Sequence, residues 1–141
     1  MLVKAYAPIT LVGDNSGYVY KLDKMTLNND GSAITNEFQT PDFVLPNTEE
    51  YMNKYMRVSQ LKYEAMGQSI TTYWSDDGGE SWHPTEGAGG NTKSLDSIYD
   101  VYQQDFDCVV KKIRFKFLNS TASSGFRLRY YGFYWILRSG R

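Results

Sequence analysis

Residues 75–82 read Ser-Asp-Asp-Gly-Gly-Glu-Ser-Trp, and no other stretch limits the fold as tightly. The spacing S-x-D-x-G-x-S-W puts short polar side chains where a tight turn needs them. Ser75 and Asp77 can accept hydrogen bonds from the turn's own amides. Gly79 can take a positive φ at no steric cost. Trp82 can fold beneath the turn and bury its ring against a sheet. The stretch therefore predicts a structural turn built on Ser75, Asp77, Gly79, Ser81 and Trp82, fixing register between the β-rich run at 70–74 and the strand that follows.

The rest of the chain repeats the β signal. The 12 Tyr, 7 Phe and 3 Trp favour strands over helices. Residues 109–118 alternate, with Val109, Ile113, Phe115 and Phe117 expected on one face and Lys111 as the exception. Residues 126–137 form the last strand, with Phe126, Leu128 and Tyr130 expected inward and Arg127 and Arg129 outward. Residues 47–66 are ambiguous. Tyr51, Tyr55, Val58 and Leu61 approach helical spacing, whereas a strand from Lys54 puts Leu61, Tyr63 and Ala65 on one face; strand–turn–strand is the favoured reading. Gly13-Asp14-Asn15-Ser16-Gly17 and Asn28-Asn29-Asp30-Gly31 are turns, and Pro41 and Pro46 bracket a loop. Residues 83–97 form a long polar loop. Short β-like runs at residues 2–6 and 9–12 precede the first turn. The expected fold is all-β: an antiparallel, jelly-roll-like β-sandwich of about eight or nine strands, one domain over residues 1–141, with 1–32 a hairpin leading into it.

The 141 residues suffice for one domain that buries about 68% of its unfolded surface. One Cys allows no intrachain disulfide. No run of eighteen apolar residues is present, so no membrane helix is expected, and residues 1–6 lack a signal-peptide core. Net charge is −1, but the sign is segregated. Residues 1–108 carry all 16 acidic residues and 7 basic ones, a net −9; residues 109–141 carry 8 basic residues and no acidic one, a net +8. Lys112, Arg114 and Lys116 share one strand face, as do Arg127 and Arg129. If the two strands pair, five like charges crowd one side of a hairpin, which needs acidic side chains, a neighbouring subunit or non-specific proximity to DNA to offset it.

Chemistry is sparse by comparison. His83, the only histidine, has no partners at metal-ligand spacing. Cys108 follows Asp105 and Asp107, whose charge raises a thiol's pKa and weakens it as a nucleophile. Asp76, Asp77 and Glu80 crowd one turn without the spacing of a calcium loop. No catalytic residue, metal or cofactor is expected.

The spacing at 75–82 is similar to the Asp-box, a turn found in β-propellers and related β-proteins. Sialidases carry it, but they need an arginine cluster, a tyrosine nucleophile and a full propeller, which this length cannot supply. The order of features resembles instead a group of bacteriophage virion proteins from the tail and head–tail region. These resemble a propeller-type G-x-x-x-G-Y-V-Y-x-L-D hairpin (residues 13–23 here), then a strand into Thr40-Pro41, a long strand pair ending at Trp82, a basic strand at 114–117 and a final strand at 127–131. The resemblance implies a non-enzymatic virion structural protein, made in the bacterial cytoplasm, assembling with itself and with neighbouring virion proteins, without a membrane. The alternative is a carbohydrate-binding β-sandwich module for host-surface glycans, with Tyr130, Tyr131, Phe133, Tyr134 and Trp135 as stacking platforms.

Overall fold

A computed structural model describes residues 10–13, 15, 17, 19–22, 28–29, 32–33, 35–86, 90–120 and 125–140. The run expected at residues 2–6 lies outside them. In chain order the strands are β1 (Thr10–Gly13), β2 (Val19–Leu22), β3 (Asn28–Asn29), β4 (Ser32–Ala33), β5 (Asn36–Gln39), β6 (Phe43–Val44), β7 (Lys54–Gly67), β8 (Ser69–Ser75), β9 (His83–Pro84), β10 (Thr92–Ser94), β11 (Asp100–Val110), β12 (Lys112–Asn119) and β13 (Phe126–Ser139). There is no helix among the described residues. The fold is an all-β sandwich of antiparallel sheets. β1 pairs with β2 and β3 with β4 as two separate hairpins.

Among the described residues nine strands build the sandwich. One sheet runs β10-β8-β12-β5, with β6 also on β12 and β9 on β8; the other runs β11-β7-β13. Residues 54–67 settle as strand because their alternation delivers Leu61, Tyr63 and Ala65 to one face, all fully buried. A helix there would have kept Leu61 and Ala65 on one side and sent Tyr63 to the other. β12 supplies the facing row, Ile113, Phe115 and Phe117, also fully buried. Tyr63 and Phe117 meet edge to face at 5.5 Å, and Phe115 lies 5.3 Å from Phe133 of β13. β7 and β12 are thus the two central strands whose inner faces make the core.

Thr40 explains how β5 and β6 flank the same strand across Pro41. Its amide donates to the Phe115 carbonyl at 2.9 Å and its Oγ1 accepts from the Phe115 amide at 3.0 Å. The side chain thereby continues a ladder that the proline interrupts. Gly67 ends β7 at φ +138°, and a Cβ there would fall against the Gly125 carbonyl oxygen, so the turn into β8 requires glycine.

Three sequence expectations change. β11 ends at Val110 and β12 begins at Lys112, because the chain crosses between sheets at Lys111. Val110 therefore faces inward, opposite Met56, and Val109 sits opposite Arg57 on the outer side. In β13, Leu128 opposes Ala65 but Tyr130 opposes Glu64, so Arg129 is an extra residue in a bulge. The bulge reverses the alternation. Tyr131 and Phe133 pack on the core, and Tyr130, expected inward, is half exposed on the outside. The described residues of the polar loop, 83–86 and 90–97, also carry more order than expected. They include β9 and β10, and Asn91 Nδ2 donates to the Thr72 carbonyl at 2.9 Å while the Asn91 carbonyl accepts from Gln104 Nε2 at 3.2 Å. Phe117→Ala should lower unfolding free energy by about 3–5 kcal/mol. Denaturant titration checks this, and a loss under about 1 kcal/mol would mean the two central strands do not carry the core.

Candidate functional site

The turn after β8 is held by its own side chains. Ser75 Oγ accepts from the Gly79 amide at 2.9 Å and donates to Asp77 Oδ1 at 2.7 Å. Asp77 Oδ1 also accepts from the Ser81 amide at 3.0 Å, and the Ser81 hydroxyl donates to Oδ2. These donors, the Ser81 hydroxyl foremost, hold the Asp77 carboxyl well below the usual carboxylate range. Gly79 has φ +94°, and a Cβ there would meet the Trp82 ring at 3.2 Å and Arg114 Nη1 at 3.3 Å. The turn therefore folds down over the outer face of the larger sheet. Trp82 lies in that fold, half-buried, with Lys116 Nζ 4.3 Å from its ring centre. It anchors the turn on the outer face rather than in the core.

The five basic residues do not share a face. β12 and β13 belong to different sheets, so the hairpin that would have joined them is absent. Lys112, Arg114 and Lys116 alternate with the buried Ile113, Phe115 and Phe117, which puts them outward on the larger sheet. There Arg114 Nε donates to Asp42 Oδ1 at 2.9 Å, and Lys116 lies over Tyr73 and Trp82. On the smaller sheet Arg129 Nη1 stands 3.6 Å from Glu64 Oε2 and its guanidinium lies over Tyr99, while Arg127 is exposed. Acidic side chains and rings of the same chain thus offset much of the charge that the sequence segregates.

The groups with chemical potential have structural surroundings. His83 lies against Trp74 with ring centres 4.5 Å apart. Cys108 is buried, and burial together with the Asp107 charge pushes its thiol up to about 12. Among the described residues no three His, Cys, Asp or Glu side chains converge as a metal site. Asp107 is held below its usual range by the Arg57 guanidinium, which donates to both carboxylate oxygens at 2.8 and 2.9 Å, and Asp105 by the Gln60 and Gln103 amides.

Sequence reasoning named Tyr130, Tyr131, Phe133, Tyr134 and Trp135 only as stacking platforms of the alternative reading and missed both the exposed Ile136 and Leu137 and the open edge of β13. Among the described residues β13 pairs only with β7, so its other edge is open over 14 residues. Tyr130, Tyr134, Trp135, Ile136 and Leu137 are 40–62% exposed. Beside the strand, Phe38, Phe126, Leu128 and Tyr131 line part of an open cleft, and Phe43, Leu45, Phe133 and Trp135 line part of a second. The missed signal was the length of the aromatic run: residues 130–137 carry seven large aromatic or aliphatic side chains, more than one inward face can absorb once a bulge divides it.

No family model matches this sequence, and no curated protein is significantly similar to it.

Asp77→Asn should lower the melting temperature at neutral pH, with the deficit shrinking as pH falls. The folded carboxyl titrates below its unfolded counterpart, so its contribution is complete above about pH 4 and disappears as pH drops through the folded value. Melting curves from pH 7 to 2 check this; a constant deficit would mean the carboxylate charge is not what holds the turn. Trp82→Ala should cost only about 1–2 kcal/mol, because its ring is half-buried. A loss as large as that of Phe117→Ala by the same titration would overturn the outer-face placement.

Proposed function

We propose that the chain is a non-enzymatic structural protein of a bacteriophage virion, in the tail or head–tail region, that works by packing against its own copies and neighbouring virion proteins. The observation that carries this reading is β13: an open strand edge flanked by exposed Tyr130, Tyr134, Trp135, Ile136 and Leu137. Apolar side chains clustered on an unpaired edge favour association, and chains that remain monomeric ordinarily blunt such edges. The two clefts beside the strand suit the same role, since strand addition gains specificity from pockets that receive alternate side chains. The sequence resemblance, from the hairpin at 13–23 to the final strand at 127–131, is what supports the virion setting. The shifted titratable groups fit it too. Asp77 holds a turn, Asp107 is tied to Arg57, Asp105 is tied to Gln60 and Gln103, and Cys108 is buried beneath the sheet.

A second reading has one specific observation behind it. Tyr130 and Tyr134 stand on the outer face of β13 with Gly132 between them, and a Cβ at Gly132 would meet nothing within 4 Å. Two exposed rings across an open floor suit sugar stacking. Mass spectrometry of gradient-purified particles from cells that express the reading frame should find the chain at structural, not trace, abundance. Abundance in the lysate with none in the particles would overturn the virion role. A glycan array that binds the chain and loses binding on Tyr134→Ala would then favour the second reading.

A further inference from the structure

The smaller sheet has two open edges of opposite charge. β11 (Asp100–Val110) carries Asp100, Asp105 and Asp107 and no basic residue; β13 (Phe126–Ser139) carries Arg127, Arg129 and Arg138 and no acidic one. Among the described residues each pairs only with β7. We propose that copies of this chain join head to tail through these edges, β13 of one copy pairing with β11 of the next, so that the smaller sheets continue from copy to copy. This deepens the assembly reading above by naming the partner and the surface.

Direction and level both fit. β11 and β13 are each antiparallel to β7, so they run the same way, and a copy displaced sideways presents β11 to β13 as a parallel partner. Asp100 and Leu128 both sit opposite Ala65. With no shift along the strands, Asp100 of one copy therefore lies level with Leu128 of the next, between Arg127 and Arg129. Val101 and Tyr130 both oppose Glu64, and Val109 and Ile136 both oppose Arg57. The same alignment brings Val101, half exposed, level with the equally exposed Tyr130, and Val109 level with Ile136, all on the outer face. Apolar surface thus matches on the outer face in this register, whereas Asp100, opposite the inward Ala65, and Arg127, opposite Met66, lie on opposite faces at that level; the charge match is between the edges as wholes, acidic for β11 and basic for β13. The alternatives match less well. A two-fold pairing of β13 with β13 brings two basic edges together, and β11 with β11 two acidic ones, both of which are disfavoured by like charge. A heterologous contact leaves one edge unused at each end, so association proceeds beyond two copies until it closes or extends.

The test is mass photometry and light scattering of the full chain at low and high salt, with Arg127→Glu, Asp100→Lys and their equimolar mixture. Both positions are exposed, and circular dichroism melting confirms that each variant folds; Arg127→Gln and Asp100→Asn serve if either does not. The parent should associate beyond dimers at low salt and weaken as the Debye length shrinks from about 30 Å at 0.01 M to about 3 Å at 1 M. Each charge reversal alone should weaken association at least about tenfold. The mixture should restore it, because the reversed edge of each variant then faces a complementary edge on the other. Strengthening by Arg127→Glu would overturn the proposal in favour of β13–β13 pairing. Indifference to both reversals, or no recovery in the mixture, would overturn the edge contact while leaving assembly through another surface. A parent that stays monomeric in all conditions would overturn this contact and self-assembly together.

Discussion

The contact between the inner faces of β7 and β12 governs the rest of the molecule. Each is flanked by other strands of its sheet, and each offers an unbroken apolar row: Leu61, Tyr63 and Ala65 against Ile113, Phe115 and Phe117. Burying six such side chains is what allows flanking strands with weaker patterns to pair at all. β5 and β6 are short and interrupted by Pro41, and they hold because Thr40 lends its side chain to the β12 ladder. β9 and β10 hold because Thr72, Thr85, Asn91 and Gln104 close a buried polar band, in which Thr72 Oγ1 and Thr85 Oγ1 lie 2.7 Å apart. The hydrogen bonds of this band favour one arrangement where apolar packing alone would allow several, although Gln104 Oε1 has no partner among the described residues.

The parts of this fold that could be read from the sequence are those in which one strand keeps one parity. β7 beyond residue 61 and β12 do so, and there the inward residues follow from counting by two. The parts that could not be read are those in which parity breaks. Arg129 in β13 is an inserted residue that reverses every later side chain, which is how Tyr130 comes to lie outside and Tyr131 inside. Nothing in Phe-Arg-Leu-Arg-Tyr-Tyr marks the insertion, because arginine and tyrosine are tolerated on either side. The crossing at Lys111 is similar in kind. A continuous alternating run over 109–118 disguises a change of sheet, and the break showed only as a lysine at an apolar position.

The turn at 75–82 was legible for a different reason. Its hydrogen bonds are local, spanning two to four residues, so spacing alone determines which atoms can meet. What spacing could not give was the surface beneath it. Whether Trp82 lies in the core or outside depends on the parity of β8, and Ser75 and Tyr73 face outward with Arg114 and Lys116. The basic residues followed the same logic. Their grouping by face within each strand could be read, but their grouping across strands depends on the sheet each strand joins, a long-range choice that no local pattern encodes.

Segregation of charge along the chain becomes segregation across one sheet because of that choice. Had β12 and β13 paired, the basic end of the chain would have formed a single patch, repelling itself and attracting polyanions. Sending β12 into the larger sheet divides the charge. Asp42 and the Tyr73 and Trp82 rings offset part of it, and β13 is left as a basic margin with β11 as an acidic margin on the far side of β7. Within the chain the two margins are kept apart by a strand that carries both signs, Arg57 and Lys62 with Glu64, and that pairs with each in turn: Arg57 with Asp107, Glu64 with Arg129. β7 thus neutralises Asp107 of one margin and Arg129 of the other, and leaves Asp100, Arg127 and Arg138 exposed at the two edges of one sheet.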